Sequence, residues 1–177
     1  MPGSGKSTVG RHVAKRLQVD FVDADTAIEQ RIGESIRGFF EREGEAAFRD
    51  IETEVMAELI GTHHGVIATG GGAVLRPANR QALVTGATVV YLRSHPEDLF
   101  RRLRRDTQRP LLQVGDPMAR LRSLHAERDP LYRSVAHFTV ETGRPSIAAL
   151  VNMIVMQLEL AGLPVERPEG DAGPLSG

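Results

Sequence analysis

The chain has 177 residues, a mass of 19.3 kDa, 41% hydrophobic and 25% charged residues, and a formal net charge of −1. That is the make-up of one ordinary globular domain, and a near-neutral balance supplies no global field to grip nucleic acid or an acidic membrane. Cysteine is absent, which excludes disulfides, thiolate metal sites and cysteine nucleophiles, and no apolar run reaches the roughly 20 residues that span a bilayer.

Aliphatic runs alternate with longer amphipathic stretches, the pattern of an α/β protein. Gly3-Ser4-Gly5-Lys6-Ser7-Thr8 leads into Val9, Val13 and Leu17 at helical spacing. This is the second half of the phosphate-loop pattern G-x-x-x-x-G-K-[ST]. Its glycines let backbone N–H groups turn inward around phosphate oxygens, and a helix starting near Ser7 adds its N-terminal dipole. Lys6 would reach the β- and γ-phosphates, and the Ser7 hydroxyl would meet Mg²⁺. The pattern's first glycine would sit one position before Met1. The strand that normally leads into such a loop would also lie upstream, so the domain is expected to be short by roughly ten residues at its front.

The short strand Phe21-Val22 ends in Asp23-Ala24-Asp25. Ligands of open α/β sheets bind at such carboxyl ends. Strand alternation would point the two carboxylates the same way. One could serve Mg²⁺ through water and the other accept from a substrate hydroxyl; the alternative is a helix-capping Asp with a solvated neighbour. Phe48, Ile51, Val55, Leu59 and Ile60 mark a helix carrying Arg49, with Glu52 one turn on and able to pair with it. His63-His64 read as solvated residues of a helix-to-strand turn. The strand Val66 to Thr69 runs into Thr69-Gly70-Gly71-Gly72, where glycines permit close approach of a ligand to the backbone, or simply a flexible loop.

A strand is predicted over Thr88 to Leu92. Arg101-Arg102-Leu103-Arg104-Arg105 spreads over several helix faces, and aromatic content is only 5%, so no nucleic-acid partner is expected. Residues 104–117 read as a loop rich in Arg, Asp, Gln, Gly and Pro, holding Arg109-Pro110-Leu111-Leu112. A helix ends near Arg128, followed by Pro130-Leu131-Tyr132-Arg133 and a strand from His137 to Val140. Gly143-Arg144-Pro145-Ser146 then leads, with Ser146 as N-cap, into an amphipathic helix on Ile147, Leu150, Val151, Ile154, Val155 and Leu158. From Pro164 the composition turns to Pro, Gly, Glu and Asp, the signature of a disordered tail. Arginine outnumbers lysine 20 to 2, and taken singly Arg49, Arg109 and Arg133 each read as surface charges. Several converging on one anion would be different, because the guanidinium fork binds carboxylate or phosphate in bidentate fashion.

Over about residues 1–160 the chain resembles the shikimate kinases. The resemblance rests on the phosphate loop, Asp23-Ala24-Asp25, Gly44-Glu45 through Phe48-Arg49, Ile51-Glu52 and Thr69 to Gly72, then on Val89-Val90-Tyr91-Leu92, Arg109 to Leu112 and Pro130 to Arg133, in that order. It implies a P-loop kinase fold of three layers, α/β/α. The parallel sheet would have five strands when complete and lack its first strand in this chain. It implies one domain over 1–163 with a lid at about 107–118, and a tail over 164–177. It implies transfer of a phosphoryl group from ATP, with Mg²⁺, to the 3-hydroxyl of shikimate, in aromatic amino acid biosynthesis.

The same resemblance assigns roles. Gly3, Ser4, Gly5, Lys6, Ser7 and Thr8 hold ATP phosphates; Ser7 binds Mg²⁺, and Asp23 supports it through water. Asp25 binds shikimate hydroxyls and is the base. Arg49 and Arg133 grip the substrate carboxylate, with Glu52 orienting Arg49, and Gly70, Gly71 and Gly72 line the same site. Arg109 rides on the lid and reaches the transferring phosphate. Arg102, Arg144 and Pro145 wall the adenine. A cytoplasmic monomer is expected, with no membrane and no nucleic acid. The rivals are another small-molecule kinase on this fold, such as a gluconate kinase, and a non-catalytic nucleotide-binding relative.

Overall fold

The computed structural model describes residues 4–103 and 116–163. The elements run α1 (Lys6–Leu17), β1 (Asp20–Asp23), α2 (Ala24–Ile32), α3 (Ile36–Thr62), β2 (Gly65–Ala68), α4 (Pro77–Gly86), β3 (Val90–Arg93), α5 (Pro96–Leu103), α6 (Pro117–Val135), β4 (Phe138–Glu141) and α7 (Ile147–Leu160). The expected disordered tail over 164–177 and most of the expected lid lie outside the described residues.

Local chemistry explains most boundaries. Ser35, Asp116 and Ser146 cap α3, α6 and α7 by accepting from the N–H groups of Gly38, Ala119 and Ala149. Such caps satisfy donors that a helix start leaves without partners. Pro77 and Pro117 sit in first turns, where a missing N–H costs nothing. Gly44, at φ 82° and ψ 177°, breaks α3 into two helical segments joined by a kink. Only glycine adopts that backbone geometry without strain.

β1 pairs in parallel with β2, and β3 with β4. Among the described residues these pairs form two separate two-stranded sheets. They nevertheless share one layer. Val66 of β2, Val90 and Leu92 of β3, and Phe138 and Val140 of β4 meet Val9, Val13 and the buried face of α7 on one side. On the other side Ile67 of β2 and Tyr91 of β3 join Met56, Leu83, Leu99, Leu121 and Tyr132. The alternation Val90, Tyr91, Leu92 between the two clusters is the period of two that a strand buried on both faces requires. The result is helix, sheet, helix. A third cluster, Ile28, Phe39, Phe48 and Val55, ties α2 to both segments of α3.

One boundary departs from the sequence reading. Helix α6 does not stop near Arg128; it continues through Pro130 to Val135, with the N–H of Ala136 donating to Tyr132 O. Burial of Tyr132 and Val135 in the core carries the helix past the proline. No described helix is long and apolar enough to cross a membrane.

Candidate functional site

The phosphate loop enters α1 through Gly5, whose φ of 80° lies in the left-handed region that favours glycine. No side chain caps α1, so its first N–H groups point outward as a ready anion seat. Ser4 is buried beneath the loop, and Lys6 Nζ donates to Ser4 Oγ at 3.5 Å. Thr8, two residues on, is exposed in the first turn of α1. Ser7 Oγ donates to Asp23 Oδ2 at 2.5 Å, while Asp23 Oδ1 accepts the N–H of Asp25 at 3.0 Å. Asp23 therefore caps α2, as one of the two sequence readings expects, and also reaches the phosphate loop. A hydroxyl beside a carboxylate is the hard oxygen set that suits Mg²⁺, an ion that keeps water and substrate phosphates as most of its ligands.

Asp25 does not share a strand with Asp23. It stands in the first turn of α2, so strand alternation is not what orients it. Its carboxylate lies against Gly70, where an added Cβ would come within 2.7 Å of Oδ1. Partial burial raises its pKa above the ordinary carboxylate value. Asp23, Glu52 and Glu29 push the same way and Lys6 opposes them.

Arg49 is held on three sides. Its Nη1 donates to Glu52 Oε2 at 2.6 Å, its Nη2 pairs with Glu45 Oε1 at 3.2 Å, and its guanidinium lies 5.2 Å from the centre of the Phe48 ring. Glu52 is 2% exposed, so its charge is compensated chiefly by Arg49. Gly72 covers this guanidinium; a Cβ there would sit 2.6 Å from Arg49 Cζ. The pairing expected from the spacing of Arg49 and Glu52 is thus present, beside the glycine loop.

Arg133 is not brought to that place. Its Nε donates to Asp129 Oδ2 at 2.7 Å, and its side chain is 54% exposed. Arg128 and Tyr132 reach the glycine loop instead. Arg128 Nη1 donates to Gly71 O at 3.2 Å, and Tyr132 Oη donates to the same carbonyl at 2.5 Å. Arg128 Nε is buried and makes no hydrogen bond. The cause is the continued helix. Residues 128 and 132 share one face of α6, and 129 and 133 share the next. A helix read as ending at Arg128 hides this, although the Arg128–Tyr132 spacing carried the signal. Burial raises the Tyr132 pKa, while the charge of Arg128 works against it.

Of the residues expected to wall the adenine, Arg144 and Pro145 line one groove and Arg102 does not. Arg102 donates to Thr142 O. A groove between α5, β4 and α7 is lined by Asp98, Arg101, Gly143, Arg144 and Pro145. Gly3 and Arg109 lie outside the described residues.

The family model for shikimate kinase matches residues 2–159. A shikimate kinase of Paracidovorax citrulli is 61% identical over 166 residues, covering 92% of this chain and 91% of that protein. One from Ralstonia nicotianae is 56% identical over 174 residues, covering 98% and 90%. A solved shikimate kinase from Acinetobacter baumannii in complex with shikimate superposes with a TM-score of 0.83 at 46% identity, covering 90% of this chain and 89% of that one. The phosphate loop, the Asp25–Gly70 contact and the Arg49 seat stand in a chain that belongs to the shikimate kinase family.

Proposed function

We propose that the chain transfers the γ-phosphoryl group of ATP to the 3-hydroxyl of shikimate. The observation that carries this reading is one unbroken run of contacts. It passes from Ser7 to Asp23 and Asp25, from Asp25 to Gly70, and through the glycine loop to Arg49, Arg128 and Tyr132. Arg49 and Arg128 stand at one end of the run and Asp23 and Asp25 at the other, which suits a small polyol acid.

In this reading Arg49 and Arg128 receive the substrate carboxylate. Arg128 takes the role that the sequence suggested for Arg133, because its buried Nε has no hydrogen-bond partner and its Nη1 already lies on the glycine loop. Asp25 accepts from the hydroxyl that attacks. The new bond forms from that oxygen to the γ-phosphorus, the bond to the ADP oxygen breaks, and the hydroxyl proton passes to Asp25. The raised pKa of Asp25 suits a proton acceptor. Lys6 and the first N–H groups of α1 take the phosphate charge. Mg²⁺ bound with ATP would offset phosphate charge, with Ser7 as a direct ligand and Asp23 acting through water. Arg109 and the adenine walls Arg102, Arg144 and Pro145 complete the nucleotide site in the same reading.

A coupled assay of ADP release tests it with shikimate and gluconate as alternative acceptors. Turnover on shikimate is expected, and turnover on gluconate alone would overturn the reading. Arg128→Ala should raise the KM for shikimate about tenfold or more, the scale of a lost charged hydrogen bond, with less effect on kcat.

A further inference from the structure

We infer that Asp129 is a positioning residue for Arg128, fixing the end of α6 against β3 so that Arg128 and Tyr132 meet the glycine loop. The inference rests on the assignment of Arg128 to the substrate carboxylate. Asp129 is 13% exposed at its side chain and is the hub of a network outside the reacting groups. Its Oδ1 accepts from Tyr91 Oη at 2.9 Å and from Arg93 Nε at 3.2 Å. Its Oδ2 accepts from Arg133 Nε at 2.7 Å, and His125 Nε2 stands 3.7 Å from Oδ1. Tyr91 and Arg93 are two apart on β3, so they present one face of the strand to the helix. The Arg93 Nη1 bond to Glu141 Oε1, at 2.9 Å, fastens that face to β4.

The next residue explains why such an anchor matters. Pro130 has no N–H, so the carbonyl four residues back loses its helical partner, and the ring crowds it. Backbone hydrogen bonding alone therefore holds the last turn of α6 less firmly to the turns before it. Asp129 supplies a fixed attachment at that point. Tyr132, stacked on Tyr91 with ring centres 4.9 Å apart, carries the same strand's position on to Gly71 O. Burial works to raise the Asp129 pKa, but the hydrogen bonds from Arg133, Tyr91 and Arg93 outweigh it and keep the carboxyl ionised.

A double-mutant cycle read in steady-state kinetics tests this. Asp129→Ala should raise the KM for shikimate about tenfold, leaving kcat and the KM for ATP within about twofold. Asp129→Asn keeps an acceptor for Tyr91 and Arg93 and should restore the KM to within about threefold of wild type. In an Arg128→Ala background, Asp129→Ala should add less than about twofold, since the group it positions is gone. If Asp129→Ala does not fold, Tyr91→Phe reads the same path, with a smaller rise that also vanishes in the Arg128→Ala background. The inference is overturned if the single and double backgrounds respond by the same factor, or if the KM for ATP rises as much as that for shikimate. If Arg128→Ala alone leaves the shikimate KM unchanged, the Arg128 assignment falls and takes this inference with it. Additivity on top of a real Arg128 effect defeats the inference alone.

Discussion

The two ends of the site are built on different principles. At the end proposed to bind the acid, Arg49 sits between Glu52, Glu45, Phe48 and Gly72, and Arg128 is seated on Gly71 O, so the cations are held before any ligand arrives. At the end proposed to meet phosphate, the polar groups are backbone N–H groups, one lysine and the Ser7–Asp23 pair, beside an exposed Gly5. A small rigid acid can be met by side chains fixed in advance. A flexible triphosphate is better met by a curved backbone and one ammonium group. The contrast makes different losses expected from the two ends.

Lys6→Ala should strike chemistry most heavily. A fall of about 10³-fold in kcat is expected, with the shikimate KM within about twofold; near-normal kcat would remove the lysine from the transition state. Glu52→Ala should strike the fold instead. Removing one partner of a buried pair should cost about 3 kcal/mol in denaturant unfolding, at the low end because Glu45 still faces Arg49. An unchanged midpoint would show that Arg49 does not depend on Glu52.

Asp25→Asn separates function from stability. The folded state holds the Asp25 proton more tightly than the unfolded chain does, so stability falls as pH rises through the raised value. The variant should lose turnover yet show a higher Tm than wild type at pH 7, the gap narrowing toward pH 4. A lower Tm at pH 7 would contradict the cost that burial and neighbouring carboxylates place on this ionised carboxylate. Arg133→Ala should do least. Its half-exposed ion pair with Asp129 leaves shikimate KM within about twofold and stability within about 0.5 kcal/mol. A tenfold KM effect there would restore it to the carboxylate site.

The parts legible in the sequence were those set by local rules. The glycines and Lys6 of the phosphate loop, the Ser146 cap and the four short strands all follow from propensity, period or capping. The Arg49–Glu52 pair was legible because helical spacing alone brings it together. What escaped depends on tertiary context. Strand alternation was extended to Asp25 because a short carboxylate after a strand fits a strand end and a helix cap equally, and the fold chooses the cap at Asp23. Pro130 ordinarily ends a helix, and only the burial of Tyr132 and Val135 carries α6 past it, which turned Arg128 inward and Arg133 outward. The division of the sheet into two parallel pairs is equally invisible to periodicity, since each strand alternates the same way in either arrangement.

The cover that Gly72 places over Arg49 bears on redesign of acceptor choice. A guanidinium at the end of a free side chain could swing away from an added methyl group, but this one is pinned by two carboxylates and a ring. Position 72 therefore works as a hard stop rather than a dial: enlarging it would displace the cation before it reshaped the cavity.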